Sequence, residues 1–418
     1  MSRKPIITLL LLAMLANMAG CSLPGDTNGE PTGLTIGLSS CQTQGMPTDG
    51  DFEANIASFS VELFKQCYLT DGNTLISPLS VALALAMTAN GADGTTLAQM
   101  EHLLGGSLGI DELNVCLSDY VASLPVSERA KLEIASSIWL RDAGGQLVIN
   151  PDFLQRNADF YDASVNVSAF DQQTAADINN WASQHTDGMI DKVINDIDPE
   201  AIAYLINAVA FDAEWLTAYG LDQIESGDFH AIDGSTQRAD FMFSNESLYL
   251  DDGKATGFVK HYTGGYSFVA LLPNERVAID KYVRSLSGKG FIDMLVNAEP
   301  ATVQATLPKF GFELSLDLGE SLKQLGMPDA FDANKADFNK MTEGSASTLY
   351  ITEVLHKTYI NVDELGTKAG AVSSIGMAPT SGLNDDVKVV RLDRPFVFAI
   401  VDNATNLPVF IGTVLSVK

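Results

Sequence analysis

Five histidines, His102, His185, His230, His261 and His356, are the chain's candidates for acid–base or metal chemistry. None stands in a His-Glu-x-x-His pair, the spacing that sets two imidazoles on one helical face around zinc. No phosphate-cradling glycine loop is present, and no nucleophile elbow that would lift a serine onto a strand–helix turn is read. Acidic residues number 53 against 25 lysines and arginines, and they are scattered as solvated surface groups are. The resulting formal charge of -28 repels nucleic acid and anionic headgroups. Cys41, Cys67 and Cys116 are too few for a disulfide framework and fit no zinc spacing; Cys67, in an apolar helical stretch, is expected to be buried. The expectation is a protein with no catalytic set, cofactor or metal.

The segment from Asp363 to Leu383 has a different kind of chemistry. It follows a strand-like run, Thr358–Val362, and is rich in small residues. Every second residue, Thr367, Ala369, Ala371, Ser373, Ile375 and Met377, is small or apolar and uncharged. With a period of two, those residues form one face of a strand that can be buried, while Lys368, Gly370, Val372, Ser374 and Gly376 face the other way. Proline, which lacks a ladder donor, is absent until Pro379. The stretch is therefore a loop by composition that is chemically able to become a central strand. The plain alternative is a glycine- and alanine-rich linker.

The residues at this point resemble the serpin family. Glu364-Leu365-Gly366-Thr367-Lys368-Ala369-Gly370-Ala371 is similar to the family's hinge, and Asp393-Arg394-Pro395-Phe396-Val397-Phe398 and Phe410-Ile411-Gly412 to its C-terminal signature. Ile76-Ser77-Pro78-Leu79-Ser80, Ile178-Asn179-Asn180-Trp181, Asn207-Ala208-Val209-Ala210-Phe211, Leu307-Pro308-Lys309-Phe310, Leu325-Gly326-Met327 and Leu355-His356-Lys357 fall in the family's order, so the resemblance covers nearly the whole domain. It implies an α+β fold of three β-sheets and eight to nine helices with an exposed reactive-centre loop. It also implies a monomeric suicide-substrate inhibitor, not an enzyme, whose loop is cut by a serine or cysteine protease and inserts into a sheet with the acyl-enzyme attached. Carried over by match, Glu364, Gly366, Thr367, Ala369 and Ala371 form the hinge. Ser77, Ser80, Asn207 and His356 form a hydrogen-bonded shutter, and Trp215 lies at the breach where the loop enters. The implied scissile bond is Thr380–Ser381, with Met377 and Leu383 as neighbouring candidates. With no Lys or Arg between Ala369 and Asp386, an elastase- or subtilisin-like target is expected rather than a trypsin-like one. A non-inhibitory, binding or chaperone-like serpin is the alternative.

The elements that must position these residues read as follows. Helical periodicity covers Phe52 to Tyr68, Pro78 to Asn90 (with Ser77 as cap) and Thr95 to Leu104. Strand-like runs lie at Lys131–Arg141, Tyr204–Asp212, Phe268–Leu272, Ala301–Leu307, Thr348–Leu355, Thr358–Val362, Pro395–Val401 and Val409–Val417. Residues 1–20 have Arg3 and Lys4, an apolar run and then Met18-Ala19-Gly20-Cys21, which resembles a prokaryotic lipoprotein signal with Cys21 as the lipid-bearing residue. Residues 21–51 read as an acidic flexible tether and 52–418 as one domain. An extracytoplasmic lipoprotein, surface- or outer-membrane-anchored or shed, is expected, its partners a target protease and the lipid membrane.

Overall fold

The computed structural model describes residues 34–35, 50–142, 144–145, 147–161, 163–198, 200–344, 349–367 and 387–418. Cys21, Cys41, Ala369, Ala371, Thr380 and Ser381 lie outside the described residues.

The helices follow from burial pattern. Gly50–Cys67 buries Phe52, Ile56, Phe59, Leu63, Phe64 and Cys67 along one stripe. Pro78–Ala89 is buried at every position, as its unbroken apolar sequence requires. Pro78 sits where its missing N–H costs nothing, but Ser77, at the cap position, makes no side-chain capping bond, contrary to the expectation. The Cys67 thiol is buried and free, and burial pushes its pKa up to about 11. Nine α-helices are present among the described residues.

The strands form two hydrogen-bonded networks where three sheets are expected. A six-stranded sheet runs in the order Phe310–Asp317, Glu353–Val362, Gly366–Thr367, Ala203–Glu214, Ala130–Arg141 and Ser164–Ser168. A nine-stranded network contains everything else, including Val387–Arg391, Phe396–Asp402 and Pro408–Val414. The two remaining layers merge because one long strand, Thr236–Asp251, belongs to both. Phe241 to Tyr249 pair with Glu299–Pro308, Tyr249 to Asp251 pair with Ala255–His261, and the register breaks between Glu246 and Leu248.

The runs read separately at 348–355 and 358–362 are one strand, Glu353–Val362, with Leu349 to Thr352 outside it. Lys357, the cation that interrupts the apolar pattern, is buried along its stem while its ammonium reaches Glu313 at 3.2 Å. Within the segment read as a tether, the Leu34 N–H donates to the Val165 carbonyl at 2.8 Å and the Thr35 hydroxyl to the Ala163 carbonyl. This piece thus lies against the edge of the six-stranded sheet.

Candidate functional site

The site is the seam between the two central strands of that sheet. At its lower end Glu353–Val362 and Ala203–Glu214 pair directly and in parallel, from Glu353↔Tyr204 to Thr358↔Val209. Above Thr358 they part, and Gly366–Thr367 occupies the gap, antiparallel to both: Thr367 stands opposite Ala213 on one side and Val362 on the other. Two of the five hinge residues are therefore already strand. Gly366 is required by proximity: a Cβ there would lie 2.0 Å from the Ala213 carbonyl oxygen. Thr367 is 1% exposed, and its hydroxyl bonds the Tyr262 phenol.

The turn that returns the chain from Val362 to Gly366 is pinned at each residue. The Asp363 carboxylate accepts the N–H groups of Leu365 (2.8 Å) and Gly366 (3.3 Å). Glu364 pairs with Lys309 at 2.5 Å, which holds its carboxyl below the usual glutamate range. Three donors from the segment after the neighbouring strand complete the anchor. Trp215 donates its indole N–H to the Asp363 carbonyl (2.8 Å) and its backbone N–H to Leu365 (2.9 Å), and the Tyr219 N–H donates to Glu364 (3.0 Å). Trp215 is stacked on Tyr262, with ring centroids 4.2 Å apart and planes 9° apart.

Lower in the same seam, Ser77, Ser80, Asn207 and His356 come together in a fully buried cluster. The His356 Nδ1 lies 2.7 Å from Asn207 Oδ1, and its Nε2 accepts the Ser77 backbone N–H at 3.0 Å. This pair fixes a neutral imidazole with the proton on Nδ1, because a proton on Nε2 would face another donor. Burial pushes the pKa of His356 down to about 3. Asn207 Oδ1 also accepts from the Ser80 hydroxyl at 2.6 Å. The Asn207 amide donates to the Ser80 carbonyl at 2.9 Å and to the Ser136 hydroxyl at 3.0 Å. Ser77 enters through its backbone; its hydroxyl is buried without a partner among the described residues. Ser136 was not foreseen. Its signal is a polar residue inside the strand-like run 131–141, which the pairing Ser136↔Asn207 places at the cluster.

The described residues hold no group of three or more metal-type ligands. Gly105-Gly106-Ser107-Leu108-Gly109 has the Gly-x-Ser-x-Gly spacing, but it joins two helices, Gly94–Gly105 and Ile110–Ser123, and no strand delivers the serine.

What the geometry offers is a sheet whose two central strands pair directly at one end and hold Gly366–Thr367 between them at the other. The family model described as Serpin (serine protease inhibitor) matches residues 54–417, and the chain belongs to the serpin family. It is similar to an uncharacterized serpin-like protein of Thermococcus kodakarensis, with 27% identity covering 87% of this chain and 85% of the relative. Among solved structures it is similar to Tengpin, a thermophilic serpin. The native state of Tengpin shares 49% identity at a TM-score of 0.88, covering 93% of this chain and all of that one. The latent state shares 50% at a TM-score of 0.80, covering 90% of this chain and all of that one.

Proposed function

We propose that this serpin is a suicide-substrate inhibitor of serine endopeptidases in which cleavage of the loop lets residues beyond Thr367 zip into the six-stranded sheet. The observation that carries this reading is one of register. Thr367 sits between Ala213 and Val362, and the directly paired residues below are Val209 with Thr358 and Asn207 with His356. The offset between the two neighbouring strands is the same at all three levels. The strands need only move apart laterally by about one inter-strand spacing, ~4.8 Å, with no slip along their length.

Continuing the pairing two residues at a time sets Ala369 between Phe211 and Ile360, Ala371 between Val209 and Thr358, Ser373 between Asn207 and His356, Ile375 between Leu205 and Val354, and Met377 beside Ala203. All of these neighbours belong to buried faces. The one polar residue of the incoming apolar face, Ser373, meets the one polar cluster, where its hydroxyl can replace the bond that parting removes between His356 and Asn207. The incoming strand would end at Met377, where Ala203–Glu214 begins, two residues before Pro379.

A protease cutting at Thr380–Ser381 would then hold its acyl bond just beyond the inserted strand. A β-branched residue before that bond suits a shallow primary pocket, and a nearby cut after Met377 or Leu383 suits a larger apolar one. We further propose that Cys21 carries a lipid and that residues 21–51 tether the domain outside the cytoplasm. Incubation with elastase, subtilisin and trypsin tests the main reading. A complex surviving denaturing electrophoresis is expected with elastase or subtilisin, and clean cleavage by every protease would contradict it.

A further inference from the structure

Lys260 is a cation placed where the core should be apolar. Its side chain is 4% exposed, on the strand Ala255–His261. Its ammonium lies 3.0 Å from Glu246, itself 12% exposed, and 3.2 Å from the Thr217 carbonyl. It also lies over the Tyr219 ring at 4.3 Å and the Trp215 ring at 5.3 Å. Glu246 accepts in addition from the Ser244 hydroxyl at 2.6 Å. Burial lowers the lysine's pKa, and Glu246 opposes that shift.

A buried ion pair is weak evidence of stability, since a well-packed apolar pair of similar volume often does as well; what it supplies is a fixed position. Here the things fixed are Trp215, Thr217 and Tyr219. That segment provides the three donors that hold the carbonyls of Asp363, Glu364 and Leu365. The Val362–Gly366 turn and the first inserted rung, Thr367, are therefore built before any cleavage. In a strand-insertion reaction the first rung is the costly one, because it orders the turn before later pairs add to it.

We propose that Lys260, with Glu246, is a positioning residue for loop insertion: it holds the Trp215–Tyr219 segment so that the hinge turn is a ready-made nucleus from which the cut loop zips. The role rests on the insertion reading above, and it extends that reading to a residue that touches neither the loop nor a protease.

Replacing the lysine by the apolar K260M tests it by two routes. Amide hydrogen exchange at Trp215 and Tyr219 reports the anchor directly and needs no protease. Exchange about ten-fold faster is expected there, with amides of the distant helix Pro78–Ala89 unchanged. The second route uses whichever protease is trapped by the unmodified chain. The ratio of cleaved to trapped inhibitor is expected to rise about three-fold or more, because slower insertion gives deacylation longer to act. If K260M does not fold, E246Q, which retains the lysine and removes its counter-charge, is measured in the same way. Unchanged exchange at Trp215 and Tyr219 overturns the proposal, as does faster exchange with an unchanged trapping ratio. If the unmodified chain traps no protease, the insertion reading has failed and the role in insertion falls with it, while the exchange experiment still shows whether Lys260 holds the Trp215–Tyr219 segment.

Discussion

Two residues in the seam illustrate how single side chains set the behaviour of the sheet. His356 is held neutral by an acceptor role at Nε2 and by burial, with its pKa pushed down to about 3. An unfolded chain would take up a proton on this imidazole below about pH 6.5, whereas the native one resists until about pH 3. The contribution to stability is therefore complete above pH 6.5 and is lost as the pH falls across that window, at about 1.4 kcal/mol per pH unit. Between pH 6 and pH 5 the unmodified chain should lose about that much more stability than H356N, read from urea midpoints; equal losses would place the imidazole in water. Thr367 gives the second case. It is buried and bonded to Tyr262 in the resting state, and an arginine there would carry an unpaired charge into the core at a cost of roughly 3 kcal/mol or more. T367R should be cut as fast as the parent but trap about a hundred-fold less protease, a ratio that gel densitometry measures. That Gly366, Trp215 and the group Ser77, Ser80, Asn207 and His356 stand out was legible in the sequence because short motifs carry them, and the structure places them along one seam; their roles as hinge, breach and shutter belong to the proposal. Ser136, Tyr262 and Lys260 were not legible, since each acquires its role from a partner far along the chain.

At the scale of elements, the alternation of residues 367–377 was readable as a buried face and a free face. Residues 368–377 lie outside the described residues, but the proposed register revises the second half of that expectation. The helix Gln172–His185 contributes Ile178 and Trp181 to a cluster that covers Tyr204, Ile206 and Ala208 on the outer side of the sheet. In the register proposed above, Ser374 falls beside Ile206 and Gly376 beside Tyr204, beneath that cover rather than in solvent. The smallness of both residues then has a steric reason. S374W should leave the first rungs intact and stop insertion short, so that cleavage by the same protease yields more free product and less trapped complex. An undiminished yield of complex would show that the helix does not confine the incoming strand. The sheet boundaries were harder to read. Nothing in the pattern of Thr236–Asp251 reveals that one strand serves two layers, because that depends on a register break between Glu246 and Leu248. Strand Glu353–Val362 was split in two by a lysine whose stem is buried and whose charge finds Glu313.

For the whole molecule, the proposed insertion requires that the folded chain rest short of its most stable arrangement. Among the described residues Gly366–Thr367 stand between the two central strands, and the directly paired strands below share the offset that a full-length incoming strand would need. Insertion would replace one interface between Glu353–Val362 and Ala203–Glu214 with two, each satisfying a ladder of backbone groups and burying the side chains of Ala369, Ala371, Ile375 and Met377. The most direct test is a pair of thermal melts, before and after limited cleavage within residues 377–383, with the fragments left together. A rise in melting temperature of at least about 10 °C is predicted. A cleaved protein that melts at or below the temperature of the intact one would contradict the account.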